Sequence, residues 1–360
     1  MGAATNSSAD QPPWLGETLR IINLVSLILF CVIFVLGLLG NGLVIYVTGY
    51  RMKRTVNSVW FLNLALADFL FTVFLIFSII SHSQDNKWQF GQIMCKLNTF
   101  VTVVNLFTSI FLLMAISLDR CLSIWVVVWA QNQRTVRKTQ IICGVIWVTA
   151  VACSIPYATF REVQEREGMT FCSYTKSFPK HMGTLRVFRF VVGFLIPFLV
   201  IFVSYVAIAV RAGRLQRNRR RRSRKIIFAV VLAFFICWLP FHVMQFIQSS
   251  TPALQIVVQI GGKLSVCLAF LNSCLNPILY VFMCDEFQKK LKQSICLVLE
   301  SALAEDHLTF MSSRSLSSQL SRISRKSDAT TPLEVKGTSA KFKFTECKVF
   351  SVEDKDSEPG

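Results

Sequence analysis

Charge is scarce in this 360-residue chain: Asp, Glu, Lys and Arg together make up only 16% of it. A water-soluble fold needs more to cover its surface, so the two or three soluble domains that the length would allow are excluded. Histidine is rarer still. The four residues, His82, His181, His242 and His307, are scattered, and no cysteine stands at metal-ligand spacing from them, which removes zinc-ribbon and zincin chemistry. No Ser/His/Asp set gathers, so the chain does not read as an enzyme. Internal repeats are absent, and so is the residue-by-residue alternation of an outer-membrane barrel. What is present is apolar: 53% hydrophobic residues, 31 Phe, and a mean hydropathy of +0.52. That composition predicts a polytopic membrane protein. The net charge of +18 then bears on how the chain sits in a bilayer, and nucleic acid is not an expected partner.

A spanning helix needs about 20 apolar residues to cross about 30 Å of hydrocarbon. Seven stretches qualify: 21–50, 55–84, 97–118, 139–160, 190–210, 226–262 and 264–284. Among them only the second holds an Asp, Glu, Lys or Arg, namely Asp68. The sixth is too long for one crossing and must contain a loop near Ser249, Thr251 and Pro252. The fold class predicted is all-α: a seven-transmembrane bundle over 21–284 after an outer segment 1–20. An amphipathic membrane-surface helix at 285–298 and a disordered cytoplasmic tail at 299–360 complete it.

Basic residues set the orientation. They crowd the loops after spans one, three, five and seven. Nine of them, without one acid, fall between Arg211 and Lys225. These loops face the cytoplasm, so the N-terminus is extracellular and the protein is placed in the plasma membrane. Asn6-Ser7-Ser8 is then a glycosylation acceptor on the correct side. Most of the 12 cysteines lie inside spans as small buried hydrophobes. Only Cys95 and Cys172 fall in oxidising space, and a disulfide between them is predicted to pin the second outer loop over the bundle.

Polar groups at bilayer depth are costly, so each is a functional candidate. Asp68 stands in span two. Asn105 and Ser109 share one face of span three, and Asn272, Asn276 and Tyr280 share one face of span seven. Asn41 lies in span one. One carboxylate among neutral oxygens suits a small hard cation such as sodium, and interhelical hydrogen bonding is the plainer reading of the same residues. Pro197, Pro240 and Pro277 interrupt spans five, six and seven and supply hinges.

Read in order, the motifs are Gly40-Asn41, Asn63-Leu64-Ala65-Leu66-Ala67-Asp68, Asp119-Arg120-Cys121, Trp147, and Pro197 with Tyr205. Cys237-Trp238-Leu239-Pro240 and Asn276-Pro277-Ile278-Leu279-Tyr280 complete the series. With them the chain resembles a class A (rhodopsin-like) G-protein-coupled receptor over nearly all its spans. The resemblance implies an allosteric sodium ion, with no other cofactor, held by Asp68, Asn105, Ser109, Asn272 and Asn276. It implies a packing switch of Trp238, Ile110, Pro197 and Phe234 beneath the ligand. At the inner end Asp119, Arg120, Tyr205, Asn276, Pro277 and Tyr280 would rearrange to admit a heterotrimeric G protein.

Finer features resemble the chemoattractant branch, whose members recognise formyl peptides, chemerin or anaphylatoxins. They are Asp119-Arg120-Cys121, the run from Trp129 to Val136, Leu271-Asn272-Ser273-Cys274-Leu275-Asn276-Pro277, and Ser301-Ala302-Leu303-Ala304-Glu305-Asp306. That branch implies an inhibitory-class G protein and arrestin as partners. It also departs in places: Val103 stands where formyl peptide receptors carry an acid, and Val127 replaces a proline before Val128-Trp129. A decoy receptor that takes up ligand without G-protein signalling stays open.

Pocket chemistry can be argued from the residues themselves. Arg186 and Arg189 lie three apart at the outer end of span five, Lys263 opens span seven, and no acid occupies the outer half of any span. Arginine grips a carboxylate through two parallel hydrogen bonds. The ligand expected is a peptide with an acidic terminus, with a carboxylate-bearing lipid mediator as the alternative. On the inner side, Phe287, Leu291 and Ile295 beside Lys289, Lys290 and Lys292 form a stripe suited to anionic membrane lipid. Cys296 at its end is a palmitoylation candidate. Residues 309–331 hold eleven Ser and Thr among basic residues, a composition that phosphorylation would convert into an arrestin-docking segment.

Overall fold

The structure, a computed structural model, describes the backbone of residues 13–166, 168–175, 178–213, 218–247 and 252–283. Within these it describes the side chains other than those of residues 13–15, 129, 178–181, 212–231, 252–253, 255 and 278–283. Nine α-helices carry nearly all of it. They are α1 (Pro13–Tyr46), α2 (Val56–Ser83), α3 (Gly91–Trp125), α4 (Val127–Gln133), α5 (Val136–Thr159), α6 (Phe178–Phe190), α7 (Ile196–Gly213), α8 (Asn218–Phe246) and α9 (Pro252–Met283). Strands β1 (Arg161–Arg166) and β2 (Met169–Tyr174) pair antiparallel between α5 and α6. Among the described residues six helical segments are long and apolar enough to cross a membrane, and Leu232–Phe246 is a shorter apolar helix.

Each expected span contains a helix, and several helices run past the ends of the charge-free stretches. Helix α3 starts at Gly91 and ends at Trp125, taking in Lys96, Asp119 and Arg120, because charged residues at a membrane interface do not end a helix. Helix α1 already includes Pro13–Arg20, inside the expected outer segment 1–20. The loop expected near Ser249, Thr251 and Pro252 falls between the end of α8 at Phe246 and α9, which runs unbroken from Pro252 through Lys263, so the charge-free stretch 264–284 is only the later part of that helix. The hairpin was not anticipated.

Local chemistry explains the ends. Thr55 caps α2: its Oγ1 accepts from Ser58 N at 3.1 Å, and Ser58 Oγ accepts from Thr55 N at 2.8 Å. These reciprocal bonds satisfy donors that would otherwise be orphaned. The chain leaves α2 through Asp85 and Asn86 at φ 54° and 64°, a left-handed region that short polar side chains tolerate. Between α6 and α7 lies one π-helical turn, Val191–Leu195. Pro197 accounts for it: a proline clashes with the carbonyl four residues earlier, here Gly193, and the widened turn relieves the clash.

The bundle closes around α3, where fifteen residues from Cys95 to Ser117 are buried. It packs on α2, α5 and α7, while α1 packs on α2 and α9, and α8 on α9. The α1–α9 approach is tight at Gly40, where a Cβ would come within 3.1 Å of the Pro277 ring. Outward faces carry exposed Ile, Leu, Val and Phe along most helices, for example Leu39, Val148 and Val203. An apolar exterior around a core that holds the buried polar groups is the arrangement lipid demands.

Candidate functional site

The outer half of the bundle encloses a cavity of about 380 Å³. Its floor is apolar, with Trp238, Phe241, Val266, Ala269 and Phe270. Its lining also holds the neutral polar groups of Asn98, Thr102 and Gln245 and the cations Arg161, Arg186 and Arg189. Among the described residues no Asp or Glu lines it. Arg189 is held by ring faces: its guanidinium carbon lies 4.8 Å from the Phe241 centroid and 5.7 Å from that of Tyr157. Tyr157 is fixed in turn by donating to Leu185 O at 2.7 Å. Arg186 reaches Met182 Sδ at 2.9 Å, a weak acceptor. Arg161 lies 3.9 Å over the Tyr174 ring and donates to Cys172 O at 3.3 Å. The Nε of all three arginines is buried and without a hydrogen-bond partner.

Arg186 and Arg189 therefore meet in one cavity. Lys263 does not join them: it is outside the lining, and its ammonium donates to Asn23 of α1. Arg161 was not singled out from sequence. It directly follows span four and looks like an interface charge, and only the hairpin turns it inward.

A hairpin stapled at several points covers the cavity. Cys95 and Cys172 form a disulfide, as predicted. Trp88 N donates to Thr170 O at 2.8 Å, and Thr170 Oγ1 donates to Trp88 O at 2.7 Å. Gln92 bonds both Arg161 O and Val163 N. Gly168, at φ 72°, sits in the connection between the strands, where left-handed backbone favours glycine.

At mid-bundle, α2 buries Asp68 completely. Asn276 Nδ2 donates to Asp68 Oδ2 at 2.6 Å and Ser109 Oγ to Oδ1 at 3.4 Å. Ser109 also bonds Asn105 Oδ1 at 3.2 Å, and Asn105 donates to Ser273 Oγ at 3.1 Å. Asn41 reaches Ser273 O at 3.0 Å, and its own Oδ1 is buried without a partner. Asn272 is buried on the same helix, while the bonds described to Asp68 come from Ser109 and Asn276. Ser273 was missed because a serine in an apolar span carries no periodic signal. One carboxylate with neutral amide and hydroxyl oxygens fits a monovalent hard cation. The several carboxylates that a divalent ion needs are not gathered among the described residues.

Between cavity and cluster lie Trp238, Phe234 and Ile110, all in the main buried core. Trp238 stands 6.1 Å from Phe234, 5.8 Å from Phe241 and 6.4 Å from His242 between ring centroids. Its Nε1 is buried without a partner. Pro197 is buried in α7 behind the π turn. At the inner end Ser117 Oγ lies 3.5 Å from Tyr205 OH, while both oxygens of Asp119 accept from Arg134. Arg120 is half-buried beside them. The side chain of Tyr280, and Asn6, Cys296 and segments 285–298 and 299–360, lie outside the described residues.

A carboxylate buried at mid-bundle, a proline-hinged tryptophan next to it and a cavity beneath the hairpin make up the arrangement of a seven-helix receptor. The match to the family of 7 transmembrane receptors (rhodopsin family) spans residues 40–280, and the chain belongs to that family. It is thus a multi-pass plasma-membrane receptor and not an enzyme. It is similar to the human chemerin-like receptor 1, at 41% identity over 309 residues, covering 80% of this chain and 82% of that one. It is also similar to two zebrafish (Danio rerio) proteins. The C3a anaphylatoxin chemotactic receptor is 39% identical, over 79% of each chain. The C5a anaphylatoxin chemotactic receptor 1 is 37% identical, over 77% of this chain and 82% of that one.

Proposed function

We propose that this receptor senses a chemoattractant peptide whose acidic terminus enters the outer cavity and pairs with Arg189 and Arg186. The observation that carries the reading is a cavity with no Asp or Glu among its described lining residues, where three arginines each bury an Nε that has no acceptor. A guanidinium at low dielectric gains far more from a carboxylate than from water. The names of the similar chemoattractant receptors point the same way. The N-terminus faces outward, and the signal passes to an inhibitory-class G protein and then to arrestin. The Asp68 cluster would hold a sodium ion in the resting state, with Ser109, Asn105, Asn272 and Asn276 as neutral partners.

The chain's residues suggest how a ligand would act. A carboxylate drawn toward Arg189 displaces the aromatic contacts of Phe241, which touches Trp238. Trp238 precedes Pro240, so a small movement at the cavity floor is delivered to the hinge of α8. The apolar floor favours a second reading, a carboxylate-bearing lipid. The test is stimulated nucleotide exchange in membranes, with free-acid and C-terminally amidated versions of the same peptides and with fatty-acid mediators. A response to free-acid peptides that amidation removes supports the proposal. Equal potency of acid and amide sinks it, and a response confined to lipids supports the second reading.

A further inference from the structure

Two membrane-crossing segments end side by side on residues that neither the outer cavity nor the mid-bundle cluster uses. The segment Gly91–Trp125 stops at Trp125, and the segment Met182–Arg211 stops at Arg211. Their contact joins α3 to α7: Trp125 Nε1 donates to Ala207 O at 3.0 Å, and the Arg211 guanidinium carbon lies 5.4 Å from the centre of the Trp125 ring. Trp125 is 44% exposed, and tryptophan at the end of a span sits at the level of lipid headgroups. Leu118, Leu122 and Trp125 share one face of α3, and Val203, Ala207 and Arg211 share one face of α7. Leu118, Leu122 and Val203 are exposed, so two apolar stripes lead from the stacked pair toward mid-bundle. A guanidinium stacked on a ring keeps its edge for hydrogen bonds. The Arg211 Nε is buried and has no acceptor, a cost that an anion would offset. No acid answers it from these two helices: α7 holds none, and Asp119, the one acid of α3, accepts from Arg134. The sequence then adds eight more basic residues from Arg214 to Lys225, again without an acid.

We propose that Arg211 and Trp125 form a binding site for the phosphate of an anionic phospholipid, in the leaflet that the basic connectors face. The guanidinium edge grips two phosphate oxygens, the indole ring holds the guanidinium in place, and the acyl chains lie along Leu122, Leu118 and Val203. Anionic lipid is concentrated in the cytoplasmic leaflet, so the site uses the orientation proposed above but neither the peptide nor the G protein. The basic run beyond Arg211 attracts such lipid without fixing its position, whereas the fork seats one headgroup. A lysine at 211 would keep the charge but offer a single point in place of the fork.

The experiment uses the full chain purified in detergent, without agonist or G protein. It is titrated with phosphatidylinositol bisphosphate and, separately, with phosphatidylcholine, and bound lipid is counted by native mass spectrometry. The wild type retains the anionic lipid in preference to phosphatidylcholine. Arg211→Gln weakens the anionic lipid by about fivefold or more, the contribution of one cation beside a charged headgroup, and Arg211→Lys falls between. Trp125→Phe, which keeps a ring but loses the bond to Ala207, gives a smaller loss and serves if Arg211→Gln expresses poorly. Replacing the four arginines at 219–222 by glutamine also lowers binding, but high salt removes that difference while the Arg211 difference persists. Equal affinity of wild type and Arg211→Gln overturns the site, as does a loss seen only when 219–222 are replaced. Soluble inositol trisphosphate binding as tightly as the lipid overturns the phospholipid as occupant. No arm involves the outer cavity, so each of these results leaves the peptide reading to its own test.

Discussion

Arginine plays opposite parts at the two ends of this bundle. In the outer cavity Arg161, Arg186 and Arg189 rest on rings, a thioether and one backbone carbonyl, each with an unpartnered Nε. At the inner end Arg134 engages a carboxylate and an amide through Nε and Nη2. The same side chain is thus left wanting in one place and satisfied in the other. A buried guanidinium nitrogen without an acceptor makes a ligand site, because the cost of burying it is recovered when an anion arrives. A satisfied one makes structure. Burial and charge alone do not separate these roles. The acceptors do.

The contrast can be broken from its outer side first. Arg189→Ala is expected to weaken an acidic peptide agonist by about 30-fold or more, since truncating one member of a buried charge pair costs upward of ~2 kcal/mol. Concentration–response curves at matched surface expression check it, and unchanged potency removes the carboxylate argument. Cys172→Ser releases the hairpin that carries Arg161, and a loss of about 2–4 kcal/mol is expected as a lower thermal midpoint and reduced surface expression. The Trp88 and Gln92 bonds hold part of the hairpin in place, so the variant should retain the bundle. Asp68→Asn should abolish any sodium dependence of agonist affinity, an effect of about fivefold, read as binding in sodium against a large organic cation. The smallest effect sharpens the comparison: Lys263→Ala should change potency by less than about twofold, within the ~0.5 kcal/mol range of surface changes. Its ammonium is spent on Asn23 and lies outside the cavity.

The seven-helix plan was legible because lipid tolerates so few charges that their absence marks each crossing. Helix ends were less so. Asp119 and Arg120 read as a terminus, yet α3 continues to Trp125, since hydrogen bonding within a helix does not stop where the hydrocarbon does. The hairpin was hidden because Arg161–Arg166 is mostly polar and charged and has no alternating apolar face; Gly168 was the available signal. In the mid-bundle cluster the ionisable and amide residues stood out as costly, whereas Ser273 is as ordinary in sequence as any serine in a span. Arg134 was read as one of the charges that set orientation and as part of the run from Trp129 to Val136. Nothing in one dimension announces that a loop cation will fold back onto a carboxylate fifteen residues earlier.

The π turn at Val191–Leu195 sets the azimuth of the ligand wall. One surplus residue in a helix turns everything beyond it by about 100°, so the arginines at 186 and 189 owe their inward aim to that insertion as much as to their own identity. Deleting a single residue there would keep each side chain yet swing the wall toward lipid, blinding the receptor with its chemistry intact.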